Sequence, residues 1–170
     1  HHIQGCAVVI AYRQTPFDRQ VFAAMKEVVA VVRCAVDIRT IDVVAASEQG
    51  ILVTQASPGF GPAVAEWVLG VMVDLARGIS QARSIYQSGK FPFAPMGRQL
   101  RGAHFGVVGY GHIGRTVSRI AQSLGMHVSA YDPFVTSGDE GVQMLDLPEL
   151  LAKSDFVVCL AVANSATENL

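Results

Sequence analysis

The chain is 170 residues long, which is one ordinary domain or pieces of two. It is 51% hydrophobic and 16% charged, against roughly 25% charged in an average soluble domain, and its formal net charge is −1. That balance excludes an electrostatic nucleic-acid binder and a basic membrane-surface helix. It fits a parallel sheet covered on both faces, or a segment without the partner for some of its apolar surface.

In chain order, Cys6 to Ala11 is a short apolar run that predicts a strand. Phe17 to Lys26 has helical spacing at Phe17, Val21, Phe22 and Met25, and Val28 to Ala35 predicts a second buried strand. Ile41 to Gln49 predicts a short helix stopped by Gly50, and Ile51 to Thr54 a third strand. This βαβαβ rhythm implies parallel strands joined by crossovers. Ser57-Pro58-Gly59-Phe60-Gly61-Pro62 is the strongest breaker cluster, and a domain boundary is expected there.

A long helix is then expected from Ala63 to Gln87, with Val64, Val68, Val71, Leu75 and Ile79 on one face. Being apolar nearly all round, it should be buried between layers, domains or subunits. It carries Glu66 and Asp74 and is too short and interrupted to span a bilayer. Lys90 to Arg101 reads as a loop. A second series follows: a strand at Phe105 to Val108, a helix at Ile113 to Leu124 and a strand at His127 to Tyr131. Asp146 with Glu149 three residues on has the capping-box pattern before a short helix, Leu147 to Lys153. Asp155 to Leu160 is expected to be the third strand of this series.

Cys6, Cys34 and Cys159 are an odd number and far apart, each in an apolar run, and read as three buried reduced thiols. No Cys/His spacing matches a metal site, and no signal peptide is evident. A reducing, cytoplasmic compartment follows as the expectation.

The chemistry-bearing motif is Gly109-Tyr110-Gly111-His112-Ile113-Gly114, a G-x-G-x-x-G between a strand and a helix. In such a loop the first glycine permits a tight turn, the second lets the backbone approach a pyrophosphate and the third lets helix and strand pack closely. The N–H groups of His112 and Ile113 would face the phosphates, with the His112 ring a solvated bystander. Asp132 follows 18 residues after Gly114, at the end of the second strand. A carboxylate there accepts hydrogen bonds from ribose hydroxyls and repels a 2′-phosphate, which favours NAD over NADP. Alone, Asp132-Pro133 reads equally well as a turn; the strand–loop–helix–strand setting favours dinucleotide binding.

With these residues in hand, the chain resembles the D-isomer-specific 2-hydroxyacid dehydrogenases, D-3-phosphoglycerate dehydrogenase among them. The most specific stretch, Leu100 to Gly114, is similar to the family's L-x-G-x-x-x-G-(I/V)-(I/V)-G-x-G-x-I-G signature. Val64-Ala65-Glu66 resembles the start of its interdomain helix, and Leu147 to Cys159 its third-strand region. The resemblance implies an α/β protein with two parts. Residues 1–58 would be part of a flavodoxin-like substrate domain, and residues 59–170 the first half of a Rossmann NAD-binding domain. It implies NAD as cofactor, a small 2-hydroxy or 2-oxo acid as substrate, no nucleic-acid or membrane partner, and a homodimer formed through the Rossmann domain.

The family's catalytic Arg, Glu and His would lie beyond Leu170, so no catalytic residue is placed and the 170-residue segment alone is expected to be inactive. Pro133, Leu160 and Ala161 would flank the adenosine, with Leu160 and Val162 standing where a His and Pro are frequent. The loop that offers N–H groups to the substrate carboxylate corresponds to Ala35-Val36-Asp37, with Asp37 in place of a glycine. An acid there disfavours an anion unless a cation sits close. Tyr12-Arg13 stands where the family often has Arg-Ser, so Arg13 is either that cation or a solvated turn residue. Phe60 takes the place of an amide side chain facing the substrate. With only three of six strands, the first strand of the Rossmann sheet is expected to be an exposed, aggregation-prone edge. The competing readings are a non-catalytic NAD(H)-sensing protein of the same fold and a domain for another adenosine-containing ligand, which the chain before Gly109 fits poorly.

Overall fold

The computed structural model describes residues 5–57, 59–93, 96–162, 167 and 170. The chain divides into two compact units, His1–Gly59 and Phe60–Leu170. The break falls in the expected breaker cluster, of which Pro58 lies outside the described residues.

The first unit contains β1 (Val8–Ala11), α1 (Arg19–Ala24), β2 (Ala30–Arg33), α2 (Val43–Glu48) and β3 (Leu52–Gln55). Both helices start where an aspartate satisfies a free backbone donor. Asp18 accepts from the N–H of Val21 and Asp42 from that of Ala45, each at 2.9 Å. Phe17 lies outside α1; it bridges to Ile41 and its ring packs on Phe22. The three strands are parallel in the order β1-β2-β3, advancing in one direction as strands 3-4-5 do in the flavodoxin-like order. Phe17, Phe22, Met25, Val28, Val31, Ile41, Ala45, Ala46 and Ile51 form the core. Strands have a period of two, so one face carries that core and the other carries Val8, Ile10 and Leu52, which are exposed. Within this unit the sheet is therefore covered on one face among the described residues, not on both.

The second unit contains α3 (Gly61–Arg77), α4 (Ile79–Gln87), β4 (His104–Val108), α5 (His112–Ser123), β5 (His127–Tyr131), β6 (Val142–Met144), α6 (Leu147–Lys153) and β7 (Phe156–Cys159). Its sheet is fully parallel in the order β6-β5-β4-β7. That is the 3-2-1-4 part of the doubly wound nucleotide-binding order.

The sheet corrects two expectations. Phe156–Cys159 is the fourth strand of the unit, because three-residue β6 pairs with β5 ahead of it. β4 is consequently interior, paired with β5 on one side and β7 on the other, and is no exposed edge. Phe105, Val107 and Val108 are buried accordingly.

The expected long helix is two helices. Gly78 takes a left-handed conformation (φ 65°, ψ 34°) that ends α3 and starts α4. The buried face of α3 is Ala65, Val68, Met72 and Ala76, which packs toward α5 and shares a core with Phe105, Val107, Tyr110, Val117, Ala121 and Val128. Of the expected face only Val68 is fully buried, while Leu75 and, beyond the Gly78 break, Ile79 are exposed. Gly106 has a similar role on the other side of β4, where a Cβ would collide with Leu150 of α6 at 2.6 Å.

At α6 only half of the capping box forms. Asp146 accepts from the N–H of Glu149 at 2.8 Å, while the Glu149 carboxylate pairs with Lys153 at 2.6 Å. The thiols are free as expected, but Cys34 and Cys159 are exposed and Cys6 is half-buried, because each lies at or beyond a strand end. No helix among the described residues is long and apolar enough to cross a membrane.

Candidate functional site

The glycine loop leaves β4 at the centre of the second sheet. β5 and β6 follow on one side of β4 and β7 on the other, so the loop sits at the carboxyl ends of the strands where the strand order reverses. Open α/β sheets bind ligands at this switch point. Gly109 donates its N–H to the carbonyl of Tyr131 on β5 at 2.8 Å, and Leu160 donates to the carbonyl of Val108 at 2.7 Å. Gly109 is thereby held between the ends of β5 and β7. The structure brings Gly109, Asp132, Leu160 and Ala161 together although they are far apart in sequence.

The three glycines differ in what demands them. Gly109 has φ 94°, and a Cβ on it would stand 2.6 Å from the N of Ala161. A Cβ on Gly114 would overlap the carbonyl oxygen of Gly109 and press on Val107, so helix α5 could not seat on β4. Gly111 is different: it has extended backbone (φ −81°, ψ −159°), and a Cβ there would meet no protein atom within 4 Å. The chain's own packing gives no reason for a bare backbone at Gly111; a ligand approaching the backbone there would.

Gly111 is also the N-cap of α5. No side chain caps this helix and its first turn contains no acid. The amides of His112, Ile113 and Gly114 thus begin a positive dipole end that no carboxylate neutralises from within the helix. These features fit a diphosphate. The His112 ring is exposed and leans on Gly61, where a Cβ would be 3.0 Å from it, and Ile113 packs at the border of the core.

Asp132 is half-buried at the end of β5. One carboxylate oxygen accepts from the N–H of Tyr110 at 2.8 Å and the other from that of Phe134 at 2.9 Å. Asp132 therefore ties the glycine loop to the β5 end, and each oxygen retains a lone pair that could accept from a further donor. Pro133 is exposed beside it, while Leu160 and Ala161 are half-buried.

Sequence reasoning missed the anchor of this wall. Tyr110 is completely buried, its hydroxyl accepts from the N–H of Asp139 at 3.3 Å, and Arg115 lies 4.6 Å over its ring while pairing with the Asp139 carboxylate. A tyrosine inside a G-x-G reads as loop, and its hydrogen-bond partner Asp139 lies 29 residues away.

In the first unit, Tyr12-Arg13 and Val36-Asp37 occupy the loops after β1 and β2. Arg13 lies 3.9 Å from Asp37. The principal partner of Asp37 is Arg39, which was not singled out from the sequence: it makes side-chain bonds of 3.0 and 2.8 Å to the two oxygens, and its N–H adds a third at 3.0 Å. These bonds hold the Asp37 carboxyl far below the usual carboxylate range. Two cations against one anion make this rim positive, so Asp37 is no bar to an anionic ligand. Tyr12 is exposed and Val36 half-buried; Phe60 belongs to the second unit, half-exposed at the start of α3. Among the described residues no group of three or more His, Cys, Asp or Glu side chains could hold a metal.

Comparison with known proteins agrees with this geometry. Residues 69–170 match the family described as D-isomer specific 2-hydroxyacid dehydrogenase, NAD binding domain. Over 153 residues the chain is 36% identical to D-3-phosphoglycerate dehydrogenase of Archaeoglobus fulgidus, covering 88% of this chain and 29% of that protein. It is also 36% identical over 171 residues to (S)-sulfolactate dehydrogenase of Chromohalobacter salexigens, covering 98% and 55%. The apo structure of D-lactate dehydrogenase from Escherichia coli superposes with a TM-score of 0.81 at 28% identity, covering 96% of this chain and 54% of that one. The chain thus spans about half the length, or less, of the relatives it matches. A G-x-G-x-x-G loop at the switch point of a parallel 3-2-1-4 sheet, an acid at the end of the adjacent strand and these matches together show that the chain belongs to the D-isomer specific 2-hydroxyacid dehydrogenase family, whose NAD-binding domain its second unit carries.

Proposed function

We propose that the whole protein is an NAD-dependent oxidoreductase acting between C2 of a small D-2-hydroxy acid and the corresponding 2-oxo acid. The observation that supports this most directly is Gly111, bare toward open space at an uncapped helix start. The nicotinamide supplies the hydride chemistry when bound. In this reading the amides of His112 and Ile113 hold the diphosphate, Asp132 accepts the ribose hydroxyls, and Pro133, Leu160 and Ala161 border the adenosine. The Tyr12-Arg13 and Val36-Asp37 loops meet the substrate carboxylate, with Arg39 neutralising Asp37. Proton transfer is left to residues outside this chain. The test is titration of the whole protein with NADH, followed by turnover of glyoxylate, pyruvate and hydroxypyruvate. Saturable NADH binding with turnover is expected. Binding without turnover would instead favour an NAD(H)-sensing protein, and no binding would remove both readings.

The second unit is proposed to form a homodimer. Trp67 and Leu75 on α3 are 68% and 72% exposed, and Tyr86, Phe91, Phe93 and Met96 after it are exposed as well, apolar side chains that a partner copy would cover. Leu75→Glu is expected to convert the particle from dimer to monomer by light scattering; a monomeric wild type would refute the dimer. The family and the free thiols fit a reducing, cytoplasmic setting.

A further inference from the structure

β2 ends on Arg33, whose side chain is the largest fully buried one in the chain, at 0% exposure. Its guanidinium meets no carboxylate among the described residues. It donates to the carbonyl of Tyr12, to the carbonyl of Thr15 at 2.7 Å and to the hydroxyl of Thr40 at 3.1 Å. The Phe17 ring lies 5.6 Å from its Cζ, and its Nε has no partner. Removing a guanidinium from water without a counter-charge is costly, and an apolar side chain of similar volume would often serve stability as well or better.

The acceptors do not require Arg33 either. The Tyr12 carbonyl also accepts from the N–H of Thr15 at 3.2 Å, and the Thr15 carbonyl from the Thr40 hydroxyl at 3.5 Å. What Arg33 alone provides is mechanical. A planar fork rooted in a central strand grips both ends of the Tyr12–Thr15 turn and ties them to Thr40 in the next loop. The turn carries Arg13, and the neighbouring loop carries Asp37 and Arg39, the three charges that make the rim positive.

We infer that Arg33 is a positioning residue for substrate: from inside the fold it fixes the turn bearing Arg13 against the loop bearing Asp37 and Arg39, so that a substrate anion meets a preformed rim. The inference rests on the dehydrogenase reading above for its kinetic consequence.

The test uses the whole protein with NADH and the best of glyoxylate, pyruvate and hydroxypyruvate. Arg33→Lys keeps the charge but cannot span two carbonyls and a hydroxyl. Its KM for the oxo acid is expected to rise roughly 10-fold, with kcat within about 2-fold, because the rim binds ground and transition states alike. Its Kd for NADH is expected to be unchanged. In an Arg13→Ala background the same substitution is expected to raise KM less than about 2-fold, since both act through one turn. Hydrogen exchange at residues 12–15 and 34–40 should quicken in Arg33→Lys while exchange in α5 and β4 does not change. An unchanged KM, a full repeat of the KM effect without Arg13, or unchanged exchange in the turn would overturn the inference. A wild type that binds NADH yet reduces none of the three acids fails the dehydrogenase reading, and the exchange measurement then decides the role of Arg33 by itself. Arg33→Met, which removes charge and fork together, should quicken exchange at the same segments at least as much.

Discussion

Gly111→Ala is expected to fold as the wild type does and to lose most of its NADH affinity, whereas Gly114→Ala is expected to lose stability first. The contrast follows from what each Cβ would meet. At Gly111 it would meet nothing within 4 Å, and φ is −81°, so the fold bears only the cost of alanine at an N-cap, about 1 kcal/mol or less. On the proposed role the new methyl group would instead stand where the diphosphate approaches the backbone. Displacing one or two charge-assisted amide bonds costs about 3 kcal/mol, or roughly a 100-fold weaker Kd. At Gly114 the Cβ would overlap the Gly109 carbonyl, backbone against backbone, and α5 would have to lift from β4. Overpacking of this kind costs about 1–3 kcal/mol, which thermal unfolding of the whole protein would register as a drop of several degrees. Calorimetric titration with NADH beside a melting curve separates the two effects. A Gly111→Ala protein that bound NADH normally would place the diphosphate elsewhere.

Asp132→Ala is expected to weaken NADH binding by roughly 30-fold and NADPH binding by clearly less. In the proposed role the carboxylate would serve the ribose hydroxyls of the first and repel the 2′-phosphate of the second, so its removal would withdraw a benefit from one and a penalty from the other. The structure adds a stability effect that the motif alone does not reveal. Asp132 accepts from the N–H groups of Tyr110 and Phe134, and Tyr110 is fully buried, so alanine leaves a part-buried donor unsatisfied at a cost of about 1–3 kcal/mol. Asp132→Asn keeps an acceptor for Tyr110 and removes the charge. It should recover most of the stability while still narrowing the preference for NADH. Paired titrations with both cofactors check this, and equal losses for NADH and NADPH would count against a ribose-binding role.

The parts of the site that were legible in advance are local. A strand, two close turns and an uncapped helix start need only a dozen neighbouring residues, and Gly109 to Gly114 writes them out directly. The N-cap Asp146 acts over three residues. The misses share a different property. β6 is three residues long between turns, with no apolar run to announce it, and it exists because β5 offers it an edge. The break at Gly78 hides inside a helical pattern that continues unaltered on both sides. Arg33 lies inside the run Val28 to Ala35, which reads as a buried strand without saying how a charge is accommodated there. Its burial depends on carbonyls 18 and 21 residues earlier.

Periodicity, caps and glycines were enough to give the alternating α/β order, the strand–glycine loop–helix unit and the break near residue 59, since each is set by backbone geometry within a few residues. Tertiary structure alone decided that β7 flanks β4, that Ala65, Val68, Met72 and Ala76 form the buried face of α3, and that buried Arg33 ties the turn after β1 to Thr40 after β2. The physical reason is that burial and pairing belong to two surfaces at once, and a sequence read along the chain displays only one of them at a time.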